Sequence, residues 1–327
     1  MESQNLNDLE KLFSHDTDLI TPPSAMADEV ESSSSAPQII PNADYFEKYL
    51  ASCYDTVLTS DDFDINQMSE SKGTEEFRKA IATFMFRFHG IDVSPDRIIV
   101  GAGTQSLLTR ILRLPSIVHP EGIPKQEGLL SRAEQIATGT RPIVAFGEDE
   151  DEQVRELFFN SKIKIKTVPV DKQIIRFDSL LSSGATLLYI TPRETNSSIS
   201  VEELNERRQE FFSWANAMPY RFIIEYDSTK KITTSLPPFK KEDTNDNVIY
   251  LNSFSSLLCK GISTSWAVLP EKLFAEYDKI YHKYPCQVSY LEQTALAMFM
   301  EKRYLDNYLE TIQSSLEEDE LEDELAF

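Results

Sequence analysis

The stretch VIYLNSFSSLLCKGISTSWAVLP, residues 248–270, places Ser253, Ser255 and Ser256 in one turn between two apolar runs. Lys260 and Ser263 follow within the same return. Hydroxyls gathered at a strand end can donate to and accept from a small polar ligand. A serine becomes a nucleophile only beside a general base. The four histidines, His15, His89, His119 and His282, have no such partner near them in sequence and no metal-ligand spacing. Lys260 lies four residues beyond Ser256, either within reach of the same pocket or on the surface. A second candidate is GAGTQSLL, Gly101–Leu108, which follows an apolar run and opens a helical pattern. Its glycines let backbone approach a ligand, and the free N–H groups of a helix start favour an anion such as phosphate. Glycine is also common at such turns for steric reasons alone. The acidic run Glu148–Glu152 can offer oxygen ligands to a divalent cation or cap the helix that follows.

These turns need a scaffold, and the pattern around them supplies one. Apolar runs expected to be strands are Arg97–Gly101, Pro142–Gly147, Ile163–Val170, Thr186–Thr191, Arg221–Asp227, Val248–Phe254 and Thr264–Leu269. Several are apolar throughout, as strands covered on both faces must be. Helical patterns lie between them at Glu75–Phe88, Thr104–Leu112, Gln126–Ala137, Glu152–Asn160 and Glu202–Ala217. Alternating strands and helices imply an α/β domain with a mainly parallel, seven-stranded, doubly wound sheet. Ligands of such sheets bind beyond the carboxyl ends of the strands. That places the loops after Val100, Phe146, Ile190, Ile224 and Leu251 at the site.

Four segments in order carry a resemblance. EFRKAIATFMFRFHGIDVSPDRIIVGAGTQSLL, VEELNERRQEFFSWANAMPYRFIIEYDS, VIYLNSFSSLLCKGISTSWAVLP and LEQTALAMFMEKRYLDNYL resemble successive parts of the fold type I enzymes that use pyridoxal phosphate (PLP). The match is with the aminotransferase-like domain of GntR-type regulators of the MocR subgroup and covers about residues 73–310. It implies that family's large-domain fold, and PLP as the cofactor. In the family a lysine after Ser-Phe-Ser forms an imine with the cofactor aldehyde, which requires an amine. Ser256 holds that place here. Ser263 stands where an arginine helps hold the phosphate. Tyr226 stands where an acid meets the pyridine nitrogen, and a shift of one residue would offer Asp227 instead. Asp151 falls where an aromatic ring stacks on the cofactor, and TPRETNSSIS replaces a TPSHQFPTG-type turn. Gly103, Thr104 and Gln105 match the helix-start loop, and Ser253 matches the phosphate-side serine. The family's small C-terminal domain and its winged helix-turn-helix are not read within these 327 residues.

The expectation is therefore a degenerate aminotransferase-like domain, with no catalytic residue at the lysine position and PLP held weakly and noncovalently if at all. The runner-up is a PLP-binding enzyme or a sensor of a small amino compound. A homodimer is expected, since the family builds its sites between two copies. Only 10 residues in 327 are glycine, about 3% where about 7% is usual, which fits relaxed demands on turn geometry.

The net charge of −22 sits mostly at the ends. Residues 1–40 hold eight acids against one lysine, and residues 315–327 hold seven acids and no base, so each end carries −7. The sequence reading takes residues 1–40 as a disordered acidic, Ser-rich arm, 41–314 as the aminotransferase-like domain and 315–327 as an acidic tail. Such acidity argues against nucleic acid as a partner. No apolar run reaches the length of a membrane span, and the N-terminus does not read as a signal peptide. Cys53, Cys259 and Cys286 share no close spacing, which gives neither a disulfide framework nor a metal site and suggests a reducing cytoplasm.

Overall fold

A computed structural model describes residues 43–118, 142–148, 150–171, 174–191, 200–228 and 237–325. The N-terminal arm, the helical pattern Gln126–Ala137 and nearly all of TPRETNSSIS lie outside the described residues.

Among the described residues the first elements are helices α1 (Ala43–Leu58) and α2 (Glu75–His89), followed by strand β1 (Ile98–Ala102). Local chemistry sets the ends of α2. The Thr74 hydroxyl accepts from the N–H of Phe77 at one end, and Gly90 closes the other in a left-handed conformation, φ 63°. Helices α3 (Thr104–Ile111) and α4 (Pro115–Val118) follow. Then come β2 (Ile143–Gly147), α5 (Glu152–Asn160) and β3 (Lys164–Val168). Pro169 cannot donate to a ladder, so β3 stops before it, and a small antiparallel pair, β4 (Val170–Asp171) with β5 (Ile174–Ile175), takes over. After α6 (Phe177–Ser182) come β6 (Leu187–Ile190), α7 (Val201–Asn216) and β7 (Phe222–Tyr226). The rest is α8 (Phe239–Glu242), β8 (Val248–Ser253), α9 (Phe254–Leu257), β9 (Thr264–Val268), α10 (Glu271–Tyr281), α11 (Tyr290–Glu301) and α12 (Tyr304–Leu325). The last helix runs on past residue 315, where the acidic run begins.

Seven strands form one sheet in the order β1-β9-β8-β7-β6-β2-β3. Strands β8, β7, β6, β2 and β3 are parallel, and β9 runs antiparallel to both its neighbours. The expected strands are all present, with every end within two residues of its expected place. Only ten residues separate β8 from β9, too few for a parallel crossover of a dozen or more. Helices cover both faces. One face packs Ile99, Ile224, Ile249, Leu251 and Ala267 under α3, α5 and α10. The other packs Val100, Tyr250, Trp266 and Val268 under α1, α2, α11 and α12, and Ile223 and Val248 under α6 and α7.

Sheet and helix approach closely at Gly101 on β1. A Cβ there would lie 2.6 Å from a methyl of Leu107 in α3. Gly101→Ala should cost about 1–3 kcal/mol through overpacking, measured as a fall in the urea midpoint with an unchanged slope. Gly261, whose added Cβ would sit 3.9 Å from Cys259 Sγ, is the matched control, and its alanine variant should leave the midpoint nearly unmoved.

Candidate functional site

The site lies at the carboxyl ends of β7 and β8, beside the turn that joins β1 to α3. Pairing fixes which residues meet. Ser253 faces Ser265 across the β8–β9 ladder, and Ser265 faces Gly101 across the β9–β1 ladder. One rung therefore carries Ser253, Ser265 and Gly101. Just beyond β1, Gly103 adopts φ 91° and ψ 150°, a backbone state suited to glycine. A Cβ on Gly103 would sit 3.8 Å from the Ser263 carbonyl. The fold thus brings the Gly101–Gln105 loop against Ser263, although 160 residues separate them in sequence. Gly103 supplies no side-chain cap to α3, so Thr104 and Gln105 begin the helix with N–H groups turned to the loop. Thr104 is half-buried and Gln105 exposed.

Ser253 is the hub of the turn. Its Oγ accepts from the N–H of Ser256 at 3.3 Å and lies 2.9 Å from Ser255 Oγ, 3.0 Å from Ser256 Oγ and 3.4 Å from the Tyr226 hydroxyl. The Ser256 hydroxyl donates back to the Ser253 carbonyl at 2.8 Å. Ser256 is thus folded onto its own turn. Lys260 is exposed on the return to β9, the surface alternative of the two read from sequence. Ser263 is exposed as well.

Strand parity separates the two residues that compete for the acid's place. Tyr226 pairs with Leu251, and its side chain shares the face of Ser253. Asp227 follows on the opposite face, where its Oδ2 accepts from the Tyr250 hydroxyl at 2.8 Å. Tyr250 in turn accepts from Asn252 Nδ2 at 3.0 Å. Asn252 Oδ1 accepts from the N–H of Ser253 at 2.6 Å and from the Ser256 hydroxyl at 3.4 Å. A buried polar chain therefore runs behind the sheet from Asp227 to the serine turn. Burial and the Asp227 charge hold the Tyr250 hydroxyl protonated, with its pKa well above the ordinary value. Sequence reading did not single out this chain. Its signal was the alternation in VIYLNS, where Tyr250 and Asn252 interrupt an apolar strand at period two.

Glu225 shares that rear face and is fully buried. Its two oxygens accept from the N–H groups of Phe239 at 2.7 Å and Lys240 at 3.0 Å, which pins α8 to the sheet. Burial and then the Asp227 charge push its carboxyl up to about 8, against the pull of the two N–H donors and Arg208. At the neighbouring strand ends, Asp151 accepts from the N–H of Gln153 at 2.7 Å and so caps α5. The capping function of the Glu148–Glu152 run is thereby realised at Asp151. Glu150 accepts from the Thr191 hydroxyl at 3.1 Å. No group of three or more His, Cys, Asp or Glu side chains is arranged for a metal among the described residues.

Comparison with known proteins then places the architecture. The multiple substrate aminotransferase of Thermococcus profundus superposes with a TM-score of 0.63 at 20% identity, over 96% of this chain and 72% of that one. The sheet and its helices have the aminotransferase fold. In sequence the chain is similar to two HTH-type transcriptional regulators of Bacillus subtilis (strain 168). YdeL is 25% identical over 233 residues, 70% of this chain and 44% of the regulator. YhdI is 27% identical over 235 residues, 71% of this chain and 45% of the regulator. The chain spans about half the length of these curated relatives. No family model matches. Regulators in sequence and aminotransferases in structure together bear out the resemblance to the aminotransferase-like domain of MocR-type regulators. No helix among the described residues is long and apolar enough to cross a membrane.

Glu225 gives this aminotransferase-like sheet a pH signature. Its folded pKa, about 8, lies above the ordinary value of 4.5. The folded state therefore holds the proton more tightly, and stability falls as pH rises from about 4.5 and levels off above about 8. Chemical unfolding from pH 5 to pH 9 should show a loss on the order of a few kcal/mol from this group. Glu225→Gln, which cannot ionise, should flatten that slope.

Proposed function

We propose that this chain is a degenerate, non-catalytic aminotransferase-like domain that keeps the scaffold for binding or for pairing with a second copy. The observation that carries the reading is Ser256. At the place where the family presents an amine, a hydroxyl folds back 2.8 Å onto the Ser253 carbonyl. PLP supplies an electron sink once its aldehyde is bound to an amine, and these residues do not fit that step. They fit the phosphate end better. Backbone N–H groups of Thr104 and Gln105 and the Ser253 hydroxyl would hold an anion, as helix starts do, while the Gly103 N–H is taken by the Gly101 carbonyl. With Ser263 in place of arginine, one charge-assisted contact is missing, worth roughly 1.5–3 kcal/mol or about ten- to a hundred-fold in affinity. PLP would then be a weak, noncovalent ligand.

Two further features support loss of chemistry over a change of mechanism. Tyr226, not a carboxylate, shares the face of Ser253. Asp151 spends its carboxylate on capping α5, and a charge cannot stack on a ring as an aromatic face does. Pairing with a second copy, as a homodimer, is supported by Ile65 and Met68, 75% and 76% exposed between α1 and α2, since apolar side chains of this size are commonly covered at interfaces. The alternative, a sensor that holds a small amino compound, draws on the same hydroxyl cup. In either case the acidic ends leave nucleic acid an unsuitable partner for this chain itself.

Ser256→Lys tests erosion of the site against a single lost residue. The variant should gain weak absorbance with excess PLP, fixed by borohydride, yet fail to exchange amino groups with any of a panel of amino acids. Adding Tyr226→Asp should strengthen the PLP complex before it yields turnover. Robust half-transamination by Ser256→Lys alone would show a site intact but for one residue and would overturn the reading.

A further inference from the structure

Beside the buried chain behind the sheet lies a histidine that the proposed function does not use. His89 is the last residue of α2, and its ring lies 5.7 Å from that of Phe84, edge to face, and 6.5 Å from that of Tyr250. Its Nε2 is buried and has no hydrogen-bond partner among the described residues. We propose that His89 is a proton-operated switch on the Ser253–Ser256 turn, transmitted by Asp227, Tyr250 and Asn252.

The geometry supplies each link. Neutral imidazole can leave one ring nitrogen buried beside aromatic rings at modest cost. A proton from solvent at Nε2 makes that nitrogen a charged donor, and a buried charge without an acceptor is far more costly. Asp227 is reached through Tyr250, whose ring lies 6.5 Å from that of His89 and whose hydroxyl donates to Asp227 at 2.8 Å, and its charge opposes the lowering of the ring's pKa by burial. The remaining charged neighbours are placed on either side. Arg87, on the same helix, is paired with Asp306 of α12. Lys241 of α8 lies against Gly90, where an added Cβ would come within 2.9 Å of its Nζ, and so works against an imidazolium. Glu225, on the same face as Asp227, keeps its proton up to about 8 and so brings no charge to the range in which His89 titrates.

Asp227 now accepts from Tyr250 at 2.8 Å. When the carboxylate is drawn to the imidazolium, that acceptor weakens and the phenol must find another. Tyr250 also receives Asn252 Nδ2 at 3.0 Å, and the Asn252 amide orients both the Ser253 N–H and the Ser256 hydroxyl. These bonds are in series and buried, where partners polarise one another and a half-satisfied network is costly. A proton at the end of α2 therefore alters the hydrogen bonding of the turn that lines the front of the site.

The test is a pH titration of the labelled full chain by NMR from pH 8 to pH 4.5, following the His89 ring and the amides of Ser253 and Ser256. His89 should protonate with a midpoint below 6.5, and both amide resonances should shift with that same midpoint. Asp227→Asn should move the midpoint lower. Tyr250→Phe should leave His89 titrating while the two amides stay still. The proposal is overturned if His89 takes up no proton above pH 4.5. It is equally overturned if the amides stay fixed in the unaltered chain, or if they still move in Tyr250→Phe. The unaltered chain alone decides the first two outcomes, so a variant that fails to fold leaves the proposal testable.

Discussion

The register between β7 and β8 decides what this site can be. Ile223 pairs with Val248, and each following pair keeps step through Tyr226 and Leu251. Side chains alternate faces along a strand, so a slip of one residue would exchange every one of them. As the strands stand, Tyr226 and Ser253 look toward the loop at Gly103, while Glu225, Asp227, Tyr250 and Asn252 lie behind. The apolar partners hold this register. Ile224, Ile249 and Leu251 are wholly buried on one face, and Ile223 and Val248 on the other. A slip would drive Glu225 and Asp227 into the packing under α3, α5 and α10. The unfavourable placement of two buried acids is thus the alternative with the lower cost.

This arrangement gives the front and the rear of the sheet different chemistry. The front is lined by hydroxyls and backbone N–H groups, with the nearby lysine, Lys260, exposed on the surface. Such a surface offers directional hydrogen bonds and little charge. The rear holds titratable groups in a fixed chain, where low dielectric amplifies each protonation step. The Ser256 side chain offers the front a hydroxyl, which cannot form an imine as an amine would. It does not disturb the rear, whose bonds support α8 through Glu225 and the serine turn through Asn252.

Much of the fold was legible because the strands are buried on both faces and read as unbroken apolar runs. Arg221–Asp227 and Val248–Phe254 were placed within about one residue of the observed β7 and β8. The short hairpin at Val170 and Ile174 was merged into the preceding run, since two-residue strands leave no period to read. Helix α1 was not assigned, for its segment follows a Ser- and Pro-rich stretch that masks the start. The site was legible at the level of position and less so at the level of direction. Nothing in EYDS says which of Tyr226 and Asp227 faces Ser253, because parity depends on pairing with a strand some twenty residues away. The role of Asp151 as a helix cap was readable from an acid ahead of EQVRELF. The Asp227–Tyr250–Asn252 chain needed three dimensions, since its links cross between strands.

The central claim is that no lysine of this chain makes a covalent bond to PLP. Intact-mass spectrometry of the purified protein, incubated with excess PLP and then reduced with borohydride, tests it most directly. The account predicts the unmodified mass, with at most scattered substoichiometric adducts of the kind denatured protein also gives. A single stoichiometric adduct, mapped to one lysine and lost on unfolding before PLP is added, would contradict it.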